Sequence, residues 1–112
     1  MKTKFWVAAG LSIMILAGVG FSVRTVSSAA DAAATFKSKC ATCHGRDGRG
    51  QTKRGRRSHT RDLTVAAWQD DVSDERLFNS INNGRGKMPA FKKQLSENEV
   101  DALVSYVRRL RR

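Results

Sequence analysis

The chain has 112 residues, which is enough for one small domain and little else. Three of its 21 basic residues lie within residues 1–30, so residues 31–112 keep 18 basic and 10 acidic side chains, a net charge of +8. Such a charge attracts acidic proteins, nucleic acid or anionic lipid, and by itself does not choose among them. A domain of 82 residues gains little stability from its own apolar core, so we expect a disulfide, a metal or a bound cofactor to stabilise it.

Residues 1–30 have the pattern of a targeting segment. Lys2 and Lys4 precede an uncharged, largely apolar run of 19 residues, and small residues follow as far as Ala30. The run is close to the roughly 20 residues that span a bilayer. Two outcomes stay open: cleavage after Ala30, which we favour, and retention as an N-terminal membrane anchor. Both place the 31–112 domain outside the cytoplasm, in the periplasm or on the outer face of the cytoplasmic membrane.

Capping signals and apolar spacing predict three helices and an all-α fold. The first covers residues 31–39, with Asp31 as its N-cap. The second opens at Ser73 and stops at the Asn-Asn-Gly sequence of residues 82–84. The third begins with the capping box of Ser96 and Glu99 and carries one apolar stripe. No β-strand pattern is present in the sequence.

Residues 45–62 are rich in arginine and glycine and predict a long loop without regular structure. They resemble a nucleic-acid-binding segment, but no aromatic residues alternate with them for base stacking. Export also removes most nucleic acid from reach, so we expect no nucleic-acid partner. Two roles for residues 46–61 stay open: a solvated loop, or a basic rim that orients an acidic redox partner. We expect His59 in this loop to be solvated.

The sequence Cys40-Ala41-Thr42-Cys43-His44 is a C-x-x-C-H motif, which is typical of haem c attachment. Two thiols add across the two haem vinyl groups and form thioether bonds. The adjacent histidine then binds the iron through a neutral imidazole nitrogen. The motif predicts one covalent haem c with its iron.

Two other chemistries use similar residues. A redox-active C-x-x-C normally follows a strand in a βαβ unit, which this sequence lacks. A zinc site would combine the motif with His59, but adjacent Cys43 and His44 are awkward as two corners of one tetrahedron. Both alternatives are therefore less favoured than haem.

Met88 is the sole methionine of residues 31–112 and the candidate for the second axial ligand. It lies in a glycine-containing loop, and Pro89 stiffens the backbone behind it. A thioether ligand favours ferrous iron and raises the reduction potential. The alternative for a lone methionine is a core-filling role.

Three blocks of the sequence resemble the class I cytochrome c family in its short, single-domain bacterial form. They are AATFKSKCATCHG at residues 33–45, INNGRGKMPAF at 81–91 and LSENEVDALVSYVRRL at 95–110. They occur in the family's order and bracket nearly all of the domain. The resemblance implies a small cytochrome c fold of three to four helices wrapped around one haem.

The resemblance also implies residue roles. Cys40 and Cys43 are the expected thioether attachments, and His44 and Met88 the expected axial ligands. Supporting contacts in the haem pocket are expected from Phe36, which packs on Tyr106 and Leu103, from Trp68, which binds a propionate or packs on the haem edge, and from Pro89.

The chain departs from the family in two places. Ala32 stands where the family usually has a glycine at the crossing of the first and last helices. No proline occurs in residues 45–87, although a proline carbonyl after the motif often accepts the proximal histidine N–H. Another carbonyl must take that role.

The predicted function is single-electron transfer by a monomeric, non-enzymatic carrier that docks on acidic redox partners. Membrane association through residues 1–30 stays open. Two alternatives also stay open: a haem enzyme or small-ligand sensor in which Met88 is displaced, and a haem subunit of a larger dehydrogenase complex.

Overall fold

The computed structural model describes Gly20 and residues 28–112. The predicted targeting segment, apart from Gly20 and its last three residues, therefore lies outside the described residues. In residues 28–112 no helix is both long and apolar enough to cross a membrane. The helical elements are α1 (Ala29–Thr35), a π-helical turn (Phe36–Cys40), α2 (Ala41–His44), α3 (Lys53–Ser58), α4 (Ala66–Asp71), α5 (Asp74–Asn83) and α6 (Glu97–Arg109).

The predicted all-α class is confirmed, because residues 28–112 form helices and no β-strand. The count of helices differs from the three to four expected. α1, the π-helical turn and α2 follow one another without a break, and four further helices follow. The additional helices are α3 and α4, which have six residues each and no apolar repeat that a sequence pattern can reveal.

The first helix begins earlier than predicted. Ser28, not Asp31, is the N-cap of α1, and its hydroxyl accepts the backbone N–H of Asp31 at 3.1 Å. The Asp31 carboxylate in turn accepts the Ser28 N–H at 3.0 Å, which completes a capping box. This reciprocal bonding holds the pKa of Asp31 below its usual value.

Helices α5 and α6 begin where their capping residues predict. Ser73 accepts the Arg76 N–H at 3.1 Å, and Ser96 forms the predicted capping box with Glu99. α6 packs against both α1 and α5. A single buried cluster lies between these elements, with Val100 and Leu103 almost fully buried at its centre.

A polar contact joins α4 to the end of α6. The Gln69 amide is buried, and its nitrogen donates to the carbonyl oxygens of Leu63 at 2.7 Å and Val107 at 2.9 Å. The Arg108 guanidinium donates to the Val72 carbonyl at 2.5 Å and to the Asp74 carboxylate at 2.7 Å. These bonds hold the segment before α5 in place. α5 in turn leads directly into the loop that carries Met88.

Candidate haem-binding site

The residues of the C-x-x-C-H motif lie at the end of the first helical segment. The π-helical turn ends at Cys40 and runs directly into α2, so the backbone is widened over the turn that ends at the first cysteine. Such π-helical insertions occur mostly at functional sites. Cys40, Cys43 and His44 are all half-buried, and the two thiols are free rather than joined in a disulfide.

The His44 ring is oriented by a backbone carbonyl. Its Nδ1 lies 3.2 Å from the carbonyl oxygen of Arg61, which can only accept a hydrogen bond. Nδ1 therefore carries the proton, and Nε2 keeps the lone pair that binds a metal. Burial lowers the pKa of His44, while the Arg61 carbonyl raises it by a smaller amount. The imidazole is thus held in the neutral form that ligation requires.

The segment after the motif closes over the end of α2. The Gly50 N–H donates to the His44 carbonyl at 2.6 Å. The Thr52 hydroxyl contacts the carbonyl oxygens of Thr42 at 2.6 Å and Cys43 at 3.1 Å. These bonds satisfy carbonyl groups that a helix end otherwise leaves free.

Met88 is held on a tight turn. Arg85 and Met88 exchange two backbone hydrogen bonds, of 3.0 and 2.9 Å. Gly84 has a φ of +77°, and a Cβ there would lie 2.7 Å from the Met88 carbonyl oxygen, so only glycine fits. The Phe91 N–H donates to the Ile81 carbonyl at 3.0 Å and joins the turn to α5. The Met88 side chain is half-buried against the same apolar cluster that Cys40 contacts.

Of the other predicted pocket residues, the aromatic ones are buried or half-buried in the apolar cluster, and Pro89 is not. Phe36 is buried and packs on Tyr106, with 4.8 Å between ring centroids, and its ring lies 6.5 Å from that of His44. Trp68 is half-buried on the cluster, and the Arg61 guanidinium lies 5.9 Å from its ring centroid. Pro89 is exposed, so its contribution is to the backbone of the turn.

These donors fit haem c better than the alternatives. Burial raises the pKa of the Cys40 thiol to about 11, whereas redox-active cysteines have a lowered pKa. Within residues 28–112 no three His, Cys, Asp or Glu side chains lie close enough together to hold a metal ion. His59 is exposed and ends α3 in a left-handed conformation with a φ of 53°.

Three residues contribute to the site in ways that the sequence pattern does not predict. The Arg61 carbonyl supplies the acceptor that the absent proline left unassigned, and a backbone group has no sequence signature. Thr52 is recognisable only as an N-cap residue. Gly55 is buried, and a Cβ built on it would overlap the carbonyl oxygens of Cys43 and Gly50. α3 therefore rests directly on α2, the helix that contains Cys43 and His44.

Comparison with known proteins identifies the family. Residues 27–107 match the family model described as "Cytochrome C oxidase, cbb3-type, subunit III". The chain belongs to this cytochrome c family, and the resemblance drawn from the three sequence blocks is confirmed. It follows that the domain carries a covalently bound haem c with its iron.

The curated relatives include proteins of two lengths. The chain is 34% identical over 109 residues to the cbb3-type cytochrome c oxidase subunit FixP of Azorhizobium caulinodans, covering 89% of this chain but 36% of the relative. It therefore spans about a third of FixP. It is 37% identical over 81 residues to cytochrome c6 of Leptolyngbya boryana, covering 70% of this chain and 91% of that protein.

A solved structure agrees with the fold. The KustC0563 c-type cytochrome superposes with a TM-score of 0.69 at 38% sequence identity, covering 72% of this chain and 98% of the other. The small all-α cytochrome c fold is thus confirmed.

Proposed function

We propose that this protein is a single-electron carrier in which His44 and Met88 are the two axial ligands of a haem bound through Cys40 and Cys43. The observation that carries the proposal is that the structure holds two side chains in place whose atoms can bind the haem iron. The Nε2 of His44 is left free by the bond from Nδ1 to the Arg61 carbonyl, and the thioether of Met88 is held half-buried by its turn. The bound haem c supplies the one-electron redox couple.

The chain's own residues then have separate tasks. Cys40 and Cys43 hold the group covalently. His44, with its ring fixed by Arg61, keeps one ligand in constant geometry, and the Arg85–Met88 bonds do the same for the other. If both residues bind the iron, no coordination site would be open to a substrate, which favours electron transfer over catalysis.

Absorption spectra of the protein matured with haem test the ligation. We expect sharp low-spin bands and a weak sulfur-to-iron charge-transfer band in the oxidised protein. Met88→Ala should lose that band and become high-spin, and Met88→His should stay low-spin without it. Lys87→Ala is the control for damage to the turn, because this exposed neighbour should leave the band intact. A band that persists in Met88→Ala contradicts the proposal.

We further propose that the domain works outside the cytoplasm, as a monomer. Haem c attachment takes place there, and the first 30 residues have a targeting pattern. Mass spectrometry of the mature protein from fractionated cells tests this. A periplasmic chain that starts at Asp31 indicates cleavage, a full-length chain on the membrane indicates an anchor, and a cytoplasmic chain contradicts the placement.

A second candidate is a haem subunit of a larger membrane complex. The matches to cbb3-type oxidase subunits FixP and CcoP favour it, whereas the near-complete coverage of cytochrome c6 favours the free carrier. Gel filtration of the native protein after mild detergent extraction separates the two. A free carrier elutes at the size of one chain, and a subunit elutes with its complex.

A further inference from the structure

α3 is anchored to the haem-attachment helix rather than suspended in solvent. The Thr52 hydroxyl caps α3 by accepting the Gly55 N–H at 2.8 Å, and it also bonds the Thr42 carbonyl at the end of α2. The absent side chain of Gly55 lets the two backbones meet at the Cys43 carbonyl. The side chains of α3 are therefore close to Cys43, one of the two proposed haem-attachment residues.

The orientation of α3 follows from that contact. Successive residues of a helix are rotated by about 100°. Because Gly55 faces α2, the basic residues of α3 lie on the sides of the helix that do not face α2, and all of them are exposed. They are Lys53, Arg54, Arg56 and Arg57.

The charge continues onto the Met88 turn. Lys87 donates from Nζ to the Arg57 carbonyl at 3.4 Å, so α3 and the turn that carries Met88 are in contact. The ion pairs within residues 28–112 are Arg49–Asp47, Arg108–Asp74 and Arg111–Asp70, none of which includes a cation of α3. We call Lys53, Arg54, Arg56, Arg57 and Lys87 the cationic face.

We propose that the cationic face, which joins the haem-attachment helix to the Met88 turn, docks the acidic surface of a redox partner protein. The inference rests on the proposed electron-carrier function and gives its partner surface a location. In the docked complex the haem held by Cys40 and Cys43 would supply one electron, and an oxidised centre of the partner would accept it, so that the haem would be oxidised and the partner reduced. No proton or chemical group is transferred.

A protein fits this face better than the other polyanions. Val65, at 44% exposure, is the one exposed large hydrophobic residue within residues 28–112, so neither α3 nor the Met88 turn offers an exposed large hydrophobic side chain for insertion into lipid. The face also lacks the aromatic side chains on which bases stack. A cluster of cations complements a carboxylate-rich protein surface, and such complementarity mainly speeds the encounter.

Two charge-reversal variants of the haem-loaded protein separate the effect of the cationic face from the effect of net charge. R54E/R57E reverses two residues of the cationic face. R76E/R112E reverses two exposed arginines on α5 and at the C-terminus, outside the ion pairs named above. Each variant lowers the net charge by the same amount.

The first readout is binding and does not depend on electron transfer. An octaglutamate peptide is titrated into each protein while amide resonances of the reduced form are recorded. We expect shifts confined to α3 and the Met88 turn, a loss of affinity of at least about tenfold in R54E/R57E, and a much smaller loss in R76E/R112E. Shifts centred on residues 108–112, or equal losses in the two variants, overturn the proposal. So does binding to anionic lipid vesicles with the same variant dependence but without peptide binding.

The second readout is oxidation of the ferrous protein by hexacyanoferrate(III), which accepts one electron and is anionic. R54E/R57E should react at least about tenfold more slowly than R76E/R112E at low salt, and the difference should shrink as salt is added. Equal rates overturn the proposal. Because the peptide titration is independent of Met88, failure of the cationic face is distinguishable from failure of His–Met ligation.

Discussion

α3 and the end of α6 carry nearly the same side chains but use them differently. Near the end of α6, Arg108 and Arg111 are held by Asp74 and Asp70, and Arg108 also bonds backbone carbonyls of the segment before α5. On α3, Thr52 and Gly55 make the contacts with α2, and the Arg56 guanidinium donates to the Gln51 carbonyl. Arg54 and Arg57 are exposed and belong to none of the ion pairs found within residues 28–112. The same residue type therefore stabilises the fold in one region and remains available for a partner in the other. The two regions differ in the acceptors nearby: carboxylates and backbone carbonyls bind the arginines near the end of α6, whereas no carboxylate within residues 28–112 pairs with a cation of α3.

The largest expected effect comes from Gly55, which sets the contact between α3 and α2. Gly55→Ala forces a methyl group into the carbonyl oxygens of Cys43 and Gly50, and we expect the free energy of unfolding to fall by about 3 kcal/mol. Gly86→Ala is the matched control. It adds a methyl group in open space at a φ of +56°, so only backbone strain of about 1 kcal/mol is expected. Urea unfolding of the reduced protein measures both, and equal losses would show that α3 does not rest on α2.

The second effect separates the two groups of arginines. Arg108→Leu removes charge-assisted bonds to the Asp74 carboxylate and the Val72 carbonyl, and should lower the free energy of unfolding by about 2 kcal/mol. Arg57→Leu removes an exposed charge and should change it by less than about 0.5 kcal/mol. The same unfolding experiment compares them. If Arg57→Leu costs as much as Arg108→Leu, the arginines of α3 are structural and the comparison fails.

The third effect concerns the residue that anchors α3. Thr52→Val keeps the shape but loses the N-cap bond to Gly55 and the bond to the Thr42 carbonyl, so a loss of about 1.5 kcal/mol is expected. Thr52→Ser keeps the hydroxyl and should recover most of it. Valine and serine variants of equal stability would exclude a role for the hydroxyl.

The smallest effect is expected at His59. This residue ends α3 with a positive φ that glycine adopts without strain. His59→Gly should therefore raise the free energy of unfolding by about 0.5 kcal/mol. A thermal scan against the parent protein measures this gain. A lower midpoint would mean that the imidazole contributes a contact that outweighs the strain.

These two regions also show how far the sequence alone reaches. α5 and α6 are predictable because their capping residues and apolar stripes are local signals. For α3 the sequence predicts a loop, because its six residues of Lys, Arg, Gly and Ser have no apolar period. Its helix depends on bonds from Thr52 to residues ten positions earlier. Such non-local bonds have no counterpart in a sequence pattern.

The site divides in the same way. Cys40, Cys43, His44 and Met88 can be proposed from spacing because each acts through its side chain. The acceptor for His44 is a backbone carbonyl 17 residues away, and any residue at position 61 would provide one. The sequence shows that the usual proline is absent, and only the fold shows what replaces it.

The most direct test of the central claim is carbon monoxide binding to the ferrous protein at neutral pH. If His44 and Met88 occupy both axial positions, the parent protein should be unreactive or slow, and Met88→Ala should bind the gas rapidly. Lys87→Ala, as the control, should behave like the parent. Rapid binding by the parent protein would contradict the account, because it requires an open iron site and points to catalysis or sensing.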